Sequence, residues 1–144
     1  MTGTKIDGLE VAKNVKQNVS EIVTKLSEQG IKPCLATILV GENPASQTYV
    51  RNKHKACEEV GITTQDHQPS ADITQEKLNA LIDSLNNDTS VHGILLQLPL
   101  PSGLNEFEAT SRILPEKDVD GLTPHNVGLL SIGSGILKPC TPSG

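Results

Sequence analysis

From Leu9 onward the apolar positions recur as Leu9, Ala12, Val15, Val19, Ile22, Val23 and Leu26, steps of three and four that line one face of a helix until Gly30 stops it. Cys34 to Val40 is different: a nearly unbroken apolar run opened by Pro33 and closed by Gly41. Such a run is expected of a parallel strand covered on both faces. Asn43-Pro44 supplies a cap followed by proline at the first helical position, so a second helix is expected from about Pro44 to Val60, ended by Gly61. A weaker strand, Ile62 to His67, leads to a helix with Leu78, Leu81, Ile82 and Leu85 on one side and Asp72 or Thr74 as its cap. A third strand, Val91 to Leu96, follows the polar break Asn86 to Ser90.

Helix, strand, helix, strand, helix, strand calls for right-handed crossovers that cover both faces of a mostly parallel sheet. The predicted fold is an α/β three-layer sandwich. Its 144 residues suit one domain with its own core. After Leu98, proline and glycine break the chain into loops, with short helical turns around Phe107 to Ile113 and Asn126 to Leu130. Residues 1–130 therefore read as the domain and 131–144 as a linker.

Composition narrows the function. The core must be aliphatic, because the chain holds one Tyr, one Phe and no Trp. A net charge of -5 with interspersed signs leaves no basic stripe for nucleic acid. No segment approaches the length of a membrane span, and the amino terminus lacks a secretory signal, so a cytoplasmic protein is expected. Cys34, Cys57 and Cys140 are odd in number and widely separated, which favours reduced thiols over disulfides or a zinc site.

In open α/β sheets ligands bind beyond the carboxyl ends of the strands, which directs attention to the segments after Val40 and Leu96. Tyr49 and Lys53 stand four residues apart on the second helix and share a face. Spacing alone fits a surface lysine lying over a partly buried tyrosine better than a catalytic pair. Arg51, His54 and Lys55 add positive charge that would lower the proton affinity of Lys53 in a desolvated pocket and suit it to acid/base work. For Arg51 and Lys55 a solvated helix face remains the better reading. Gln97, followed by Leu98 and Pro99, puts an amide at the end of the third strand, as a ligand contact or a loop anchor. Lys117-Asp-Val-Asp-Gly121 places Asp118 and Asp120 at alternate positions of a turn, able to grip a heterocycle's donors or simply to order the turn. A calcium loop fits poorly, and His54 with Cys57 lacks the second pair a metal would need. Gly133-Ser-Gly135 opens like a dinucleotide loop but has no preceding strand, and Lys138 stands in place of the third glycine.

The ordered segments Val40-Gly41, Ala45 to Ala56 with Gly61-Ile62 after it, Gln97 to Pro101, Pro115 to Gly121, Pro124-His-Asn126 with Gly128, and Pro139 to Gly144 resemble the methylenetetrahydrofolate dehydrogenase/cyclohydrolase family. The resemblance runs over essentially the whole chain. It implies a folate-binding amino-terminal domain facing a Rossmann domain that presents NADP or NAD, in a homodimer of one-carbon metabolism that oxidises 5,10-methylenetetrahydrofolate and hydrolyses the methenyl product to 10-formyltetrahydrofolate. Carried over, Lys53 is the catalytic lysine, Tyr49 packs on the aminobenzoyl ring, and Gln97 orients Lys53. Leu98 and Pro99 line the folate cleft, and Asp120 binds the pterin donors. Gly121-Leu-Thr123 departs from the Gly-Phe-His of many members. The resemblance also implies that the chain stops before its cofactor domain, so that these residues bind no nicotinamide and transfer no hydride alone. Competing readings are a non-catalytic folate-binding or dimerisation module and a flavodoxin-like regulator, for which no acidic pocket is evident.

Overall fold

The computed structural model describes residues 7–135 and 137–140. Each element begins and ends where local chemistry requires. Helix α1, Gly8–Glu28, starts at Asp7, whose carboxylate accepts from the Leu9 and Glu10 amides at 3.0 and 3.4 Å. Strand β1 is Cys34–Ile38 and helix α2 is Pro44–Val60. Asn43 caps α2 by accepting from Ala45 N at 3.0 Å and Ser46 N at 3.2 Å, an interaction worth about 1 kcal/mol. Gly61 ends the helix in the left-handed region, φ 85°, where any Cβ would also lie 3.2 Å from Val23 Cγ1.

Strand β2, Thr63–His67, is followed by α3, Gln75–Asn87, and β3, Gly93–Leu96. Thr74 rather than Asp72 caps α3, its hydroxyl accepting from Lys77 N at 3.4 Å. Helices α4, Glu106–Arg112, and α5, Pro124–Ser131, correspond to the two helical turns expected after Leu98. Of the expected linker, Ile136 and residues 141–144 lie outside the described residues, as does the end of the Pro139 to Gly144 motif.

The three strands form one parallel sheet in the order β2-β1-β3. Alternate strand residues face opposite ways, and two layers follow. Ala36, Ile38 and Val40 join Ile94 and Leu96 against Leu78, Ile82 and Leu85 of α3 and Ala109 and Ile113 beside α4, forming the aliphatic core. Polar ties hold this layer together: Arg112 grips Asp83 with two 2.7 Å bonds, and Asn86 spans Arg112 O and Leu114 N. Thr37 faces the other way, toward α2, where its hydroxyl lies 3.0 Å from His54 Nε2.

Helix α1 differs from its sequence pattern. Only Val23 of its apolar stripe is buried, while Leu9, Val15 and Ile22 are exposed. The reason is position: α1 packs on α2, joined by Val23 at Gly61 and by the Lys16–Glu59 ion pair, rather than on the sheet. Among the described residues no helix is long and apolar enough to cross a membrane.

Candidate active site

Chain order β1, β2, β3 against spatial order β2-β1-β3 makes the chain reverse direction around β1. At such a reversal, ligands usually lie beyond the carboxyl ends of the two strands beside it, here β1 and β3. Helix α2 leaves β1 at that end. Its Ser46 and Val50 are buried toward the sheet, and at 3.6 residues per turn Gln47 and Arg51 fall on one flank while Tyr49 and Lys53 fall on the other. Gln47, Arg51 and His54 line a cleft of 230 Å³ with Asp66, His67 and Gln68 at β2. The Tyr49 and Lys53 flank is therefore the one turned toward β3.

Tyr49 is 63% exposed and so is not a core residue. Lys53 is half-buried, and Arg51 and Lys55 are exposed on nearly the opposite side of the helix. Arg51 and Lys55 thus lie on a solvated helix face, and the helical repeat keeps their charge away from Lys53. His54 serves elsewhere: its Nε2 is 2.8 Å from Asp66 Oδ1, and the Thr37 hydroxyl donates to the same carboxylate oxygen at 2.9 Å. This cluster ties α2 to β2. Because the Thr37 hydrogen is directed at a carboxylate, the hydroxyl is a structural donor and not a nucleophile.

Gln97 follows β3 directly, its backbone N–H donating to Ile38 O at 2.9 Å. By strand alternation its side chain leaves on the α2 side of the sheet. Its Nε2 donates to Leu98 O at 2.8 Å, whereas its Oε1 is buried without a hydrogen-bond partner. Among the described residues no hydrogen bond joins Gln97 to Lys53. A buried acceptor left unpaired costs about 1–3 kcal/mol, so the site holds an acceptor in need of a donor. Leu98 is half-buried and Pro99 exposed, joined by a cis peptide bond.

The two carboxylates of the turn separate into distinct roles. The 115–120 segment runs beside β3, with a parallel bridge between Ile94 and Asp118 and a 2.7 Å bond from Ile94 N to Lys117 O. Two residues further along, that register brings Asp120 level with Leu96, at the end of the sheet where Gln97 lies. Close approach requires Gly93, where a Cβ would stand 2.5 Å from Val119 Cγ1. Lys117 anchors the segment by donating to Leu85 O, Asn86 O and Asp88 O at 3.0, 2.8 and 2.8 Å, satisfying carbonyls at the carboxyl end of α3.

Asp118 is 3% exposed and accepts from Leu122 N at 3.2 Å, Thr123 N at 2.8 Å and Asn126 Nδ2 at 2.9 Å. Burial pushes its carboxyl up, but these hydrogen bonds together outweigh burial and hold it below the ordinary carboxylate range. A depressed folded-state value stabilises the fold above the unfolded pKa of about 3.9 and is lost as pH falls through the folded value. The stability advantage of the wild type over Asp118→Asn is therefore expected to shrink below about pH 5, as read by urea unfolding at several pH values. A pH-independent difference would remove this account of Asp118. Asp120, in contrast, makes no side-chain hydrogen bond among the described residues. Its side chain shares a narrow crevice with Leu96 and Thr123, on the α4-facing side of the sheet, opposite the face that carries α2. The fold thus sets Tyr49 and Lys53 on the β3-facing flank of α2, Asp120 on the opposite face of the sheet, and Gln97 at the end of β3.

Two contributors escaped the sequence reading. Asn126 was legible only as a motif position, although Asn in a Pro-x-Asn turn after an acidic pair was a possible signal. Thr123, at the Gly-Leu-Thr departure, caps α5 by accepting from Asn126 N at 3.3 Å. The three cysteines are free, and burial pushes the Cys57 thiol up, away from thiolate reactivity. No group of three metal-ligating side chains occurs among the described residues.

The profile of the catalytic domain of tetrahydrofolate dehydrogenase/cyclohydrolase matches residues 6–120. The chain belongs to this family. Its relatives include the bifunctional protein FolD of Nitrosopumilus maritimus, 65% identical over 144 residues, which are all of this chain and 50% of that protein. The crystal structure of the bifunctional methylenetetrahydrofolate dehydrogenase/cyclohydrolase of Campylobacter jejuni superposes with a TM-score of 0.92 at 50% identity, covering 95% of this chain and 49% of the other. The Trypanosoma brucei enzyme, solved with NADP and an inhibitor, has a TM-score of 0.92 at 40% identity, covering 99% and 50%. The chain spans about half the length of the curated relatives it matches.

Proposed function

We propose that residues 1–130 are the tetrahydrofolate-binding catalytic unit of an NAD(P)-dependent methylenetetrahydrofolate dehydrogenase that is also a methenyltetrahydrofolate cyclohydrolase, with 131–144 leading toward its cofactor-binding domain. The single observation that carries the reading is the unpaired Oε1 of Gln97, in a chain of this family, at the end of β3 and on the side of the sheet that carries α2 with Tyr49 and Lys53. Lysine offers three N–H donors and no acceptor. With folate bound, the Lys53 ammonium would donate to Gln97 Oε1 and so be oriented toward the one-carbon unit.

The exposed Tyr49 ring offers a face to the aminobenzoyl ring, at the small entropic cost of ordering an aromatic. Leu98 and Pro99 form the adjoining wall. Asp120, with no competing partner of its own, accepts from the adjacent N–H donors of the pterin, a charge-assisted pair. In hydrolysis, water adds to the methenyl carbon and loses a proton. The bond from that carbon to N5 then breaks as N5 takes a proton and the new hydroxyl gives up its own, leaving a neutral formyl group on N10 and one proton released overall. Lys53 is placed to move the proton in these steps.

Hydride acceptance belongs to the nicotinamide. No strand followed by a glycine-rich turn and a helix is found among the described residues, which therefore do not fit the dinucleotide. The whole protein is taken to be a cytoplasmic homodimer. A second reading, a non-catalytic folate-binding or pairing module, draws on the uncovered apolar stripe of α1. Mixing the chain with 5,10-methenyltetrahydrofolate and following loss of the methenyl chromophore separates the two. Accelerated hydrolysis is expected, and saturable binding without acceleration over the uncatalysed rate would favour the second reading.

A further inference from the structure

We propose that Asp118 and Asn126 are positioning residues for Asp120, a bolt that sets where the pterin-binding carboxylate stands; the inference rests on the folate reading of Asp120. One carboxylate closes a ring of chain: Asp118 Oδ1 holds Leu122 N at 3.2 Å and its Oδ2 holds Thr123 N at 2.8 Å, so both amides after the turn are fastened to the residue before it. Asp120 and Gly121 form the apex of that ring, with Gly121 at φ 67°. Asn126 Nδ2 fastens the ring from behind, donating to Asp118 Oδ2 and to Pro115 O at 2.9 Å each. Asn126 is itself buried and stands in the first turn of α5. On its other side the ring is fixed by Ile94 N to Lys117 O and by the three Lys117 bonds to the end of α3.

Lys117, Asp118 and Asn126 are therefore committed to holding the backbone, and Asp120 is left to face a ligand. This division explains why an acidic pair occupies one turn: a carboxylate bonded to three N–H groups orients its neighbour without competing for the ligand. Removing the Asn126 amide would leave Asp118 two of its three donors. The loop would then stay closed but loosen at its apex, and a bidentate contact with adjacent N–H donors is sensitive to small displacements.

The test compares binding of tetrahydrofolate and of its 2-desamino-2-methyl analogue, which lacks the exocyclic amine donor. Both are titrated into the chain and into Asp120→Ala, Asn126→Ala and Asp118→Asn, at a temperature where thermal melts show each variant folded. Wild type is expected to prefer tetrahydrofolate, and Asp120→Ala to lose that preference. Asn126→Ala is expected to narrow the preference about fivefold to tenfold, while binding of the analogue changes little. A purely structural role would lower the melting temperature and leave the preference intact; that result in folded Asn126→Ala overturns the bolt. Asp118→Asn adds to the case if it folds, and Asn126→Ala decides the question if it does not. An unchanged preference in Asp120→Ala, or none in wild type, would instead remove the folate reading of Asp120.

Discussion

Replacing Lys53 with methionine is expected to slow hydrolysis of 5,10-methenyltetrahydrofolate by roughly 10²-fold or more, the range in which a positioned proton-transfer group contributes. Methionine keeps the length and apolar stem of the half-buried lysine and removes only the ammonium, so stability should change little. Tetrahydrofolate binding should weaken far less than the rate, because in the proposed site the lysine acts on the reacting carbon and water while Tyr49 and Asp120 hold the rings. A Lys53→Arg variant sharpens the result. Its charge is retained, but a guanidinium does not release its proton near neutral pH, so it should be nearly as slow as the methionine variant. Full activity in either variant would refute proton transfer by Lys53. The unpaired Gln97 Oε1 yields a related expectation: removing it by Gln97→Leu should slow hydrolysis about tenfold while tetrahydrofolate binding changes little.

The second large effect concerns the core. Ile82 is fully buried on α3, among Ile38, Leu78 and Ile94, in the layer between sheet and helices. Ile82→Ala is expected to cost about 2–5 kcal/mol, the transfer of the lost methyl groups plus the cavity left behind. For a chain of this size that corresponds to a fall in Tm of roughly 10 °C or more. The same truncation at Ile22 of α1, whose side chain is exposed, should change Tm by only a degree or so, within the range of ordinary surface substitutions. Both positions belong to well-formed helices with apolar stripes. Equal losses at the two sites would mean that α1 is covered in solution by something other than α2.

That contrast marks one limit of sequence reasoning. Helical periodicity located α1 correctly but could not say what its stripe would meet, since an amphipathic pattern specifies a face and not a partner. The boundaries of α2 were legible because they depend on neighbours in the chain: Asn43 and Pro44 start it and Gly61 ends it. The choice of Thr74 over Asp72 was not legible, because both are good caps and the winner depends on where the chain enters the layer.

At the site the same division holds. The shared face of Tyr49 and Lys53 follows from a four-residue spacing on one helix and needed no structure. The solvated helix face preferred for Arg51 and Lys55 also follows from the helical repeat, which turns residues two positions from Lys53 away from it. Which flank of α2 meets β3 came from the strand order, and strand order is a matter of which sheet edges pair. Asp118 and Asp120 looked alike in sequence, two carboxylates in one turn. Spacing alone did not divide them; the family resemblance assigned the pterin to Asp120, and the tertiary structure supplied a physical reason by burying Asp118 against three N–H donors and leaving Asp120 unbonded among the described residues.

The sequence by itself therefore determined the α/β alternation, the limits of the helices, the aliphatic core and the family, each written in local spacing or in an ordered set of motifs. The tertiary structure alone decided that β1 lies between its two partners, that α1 stays outside the sheet layers, and that Asp118 supports the turn that carries Asp120. The physical reason is common to all three: burial and hydrogen-bond satisfaction are settled between segments distant in the chain, and no window of residues contains both partners.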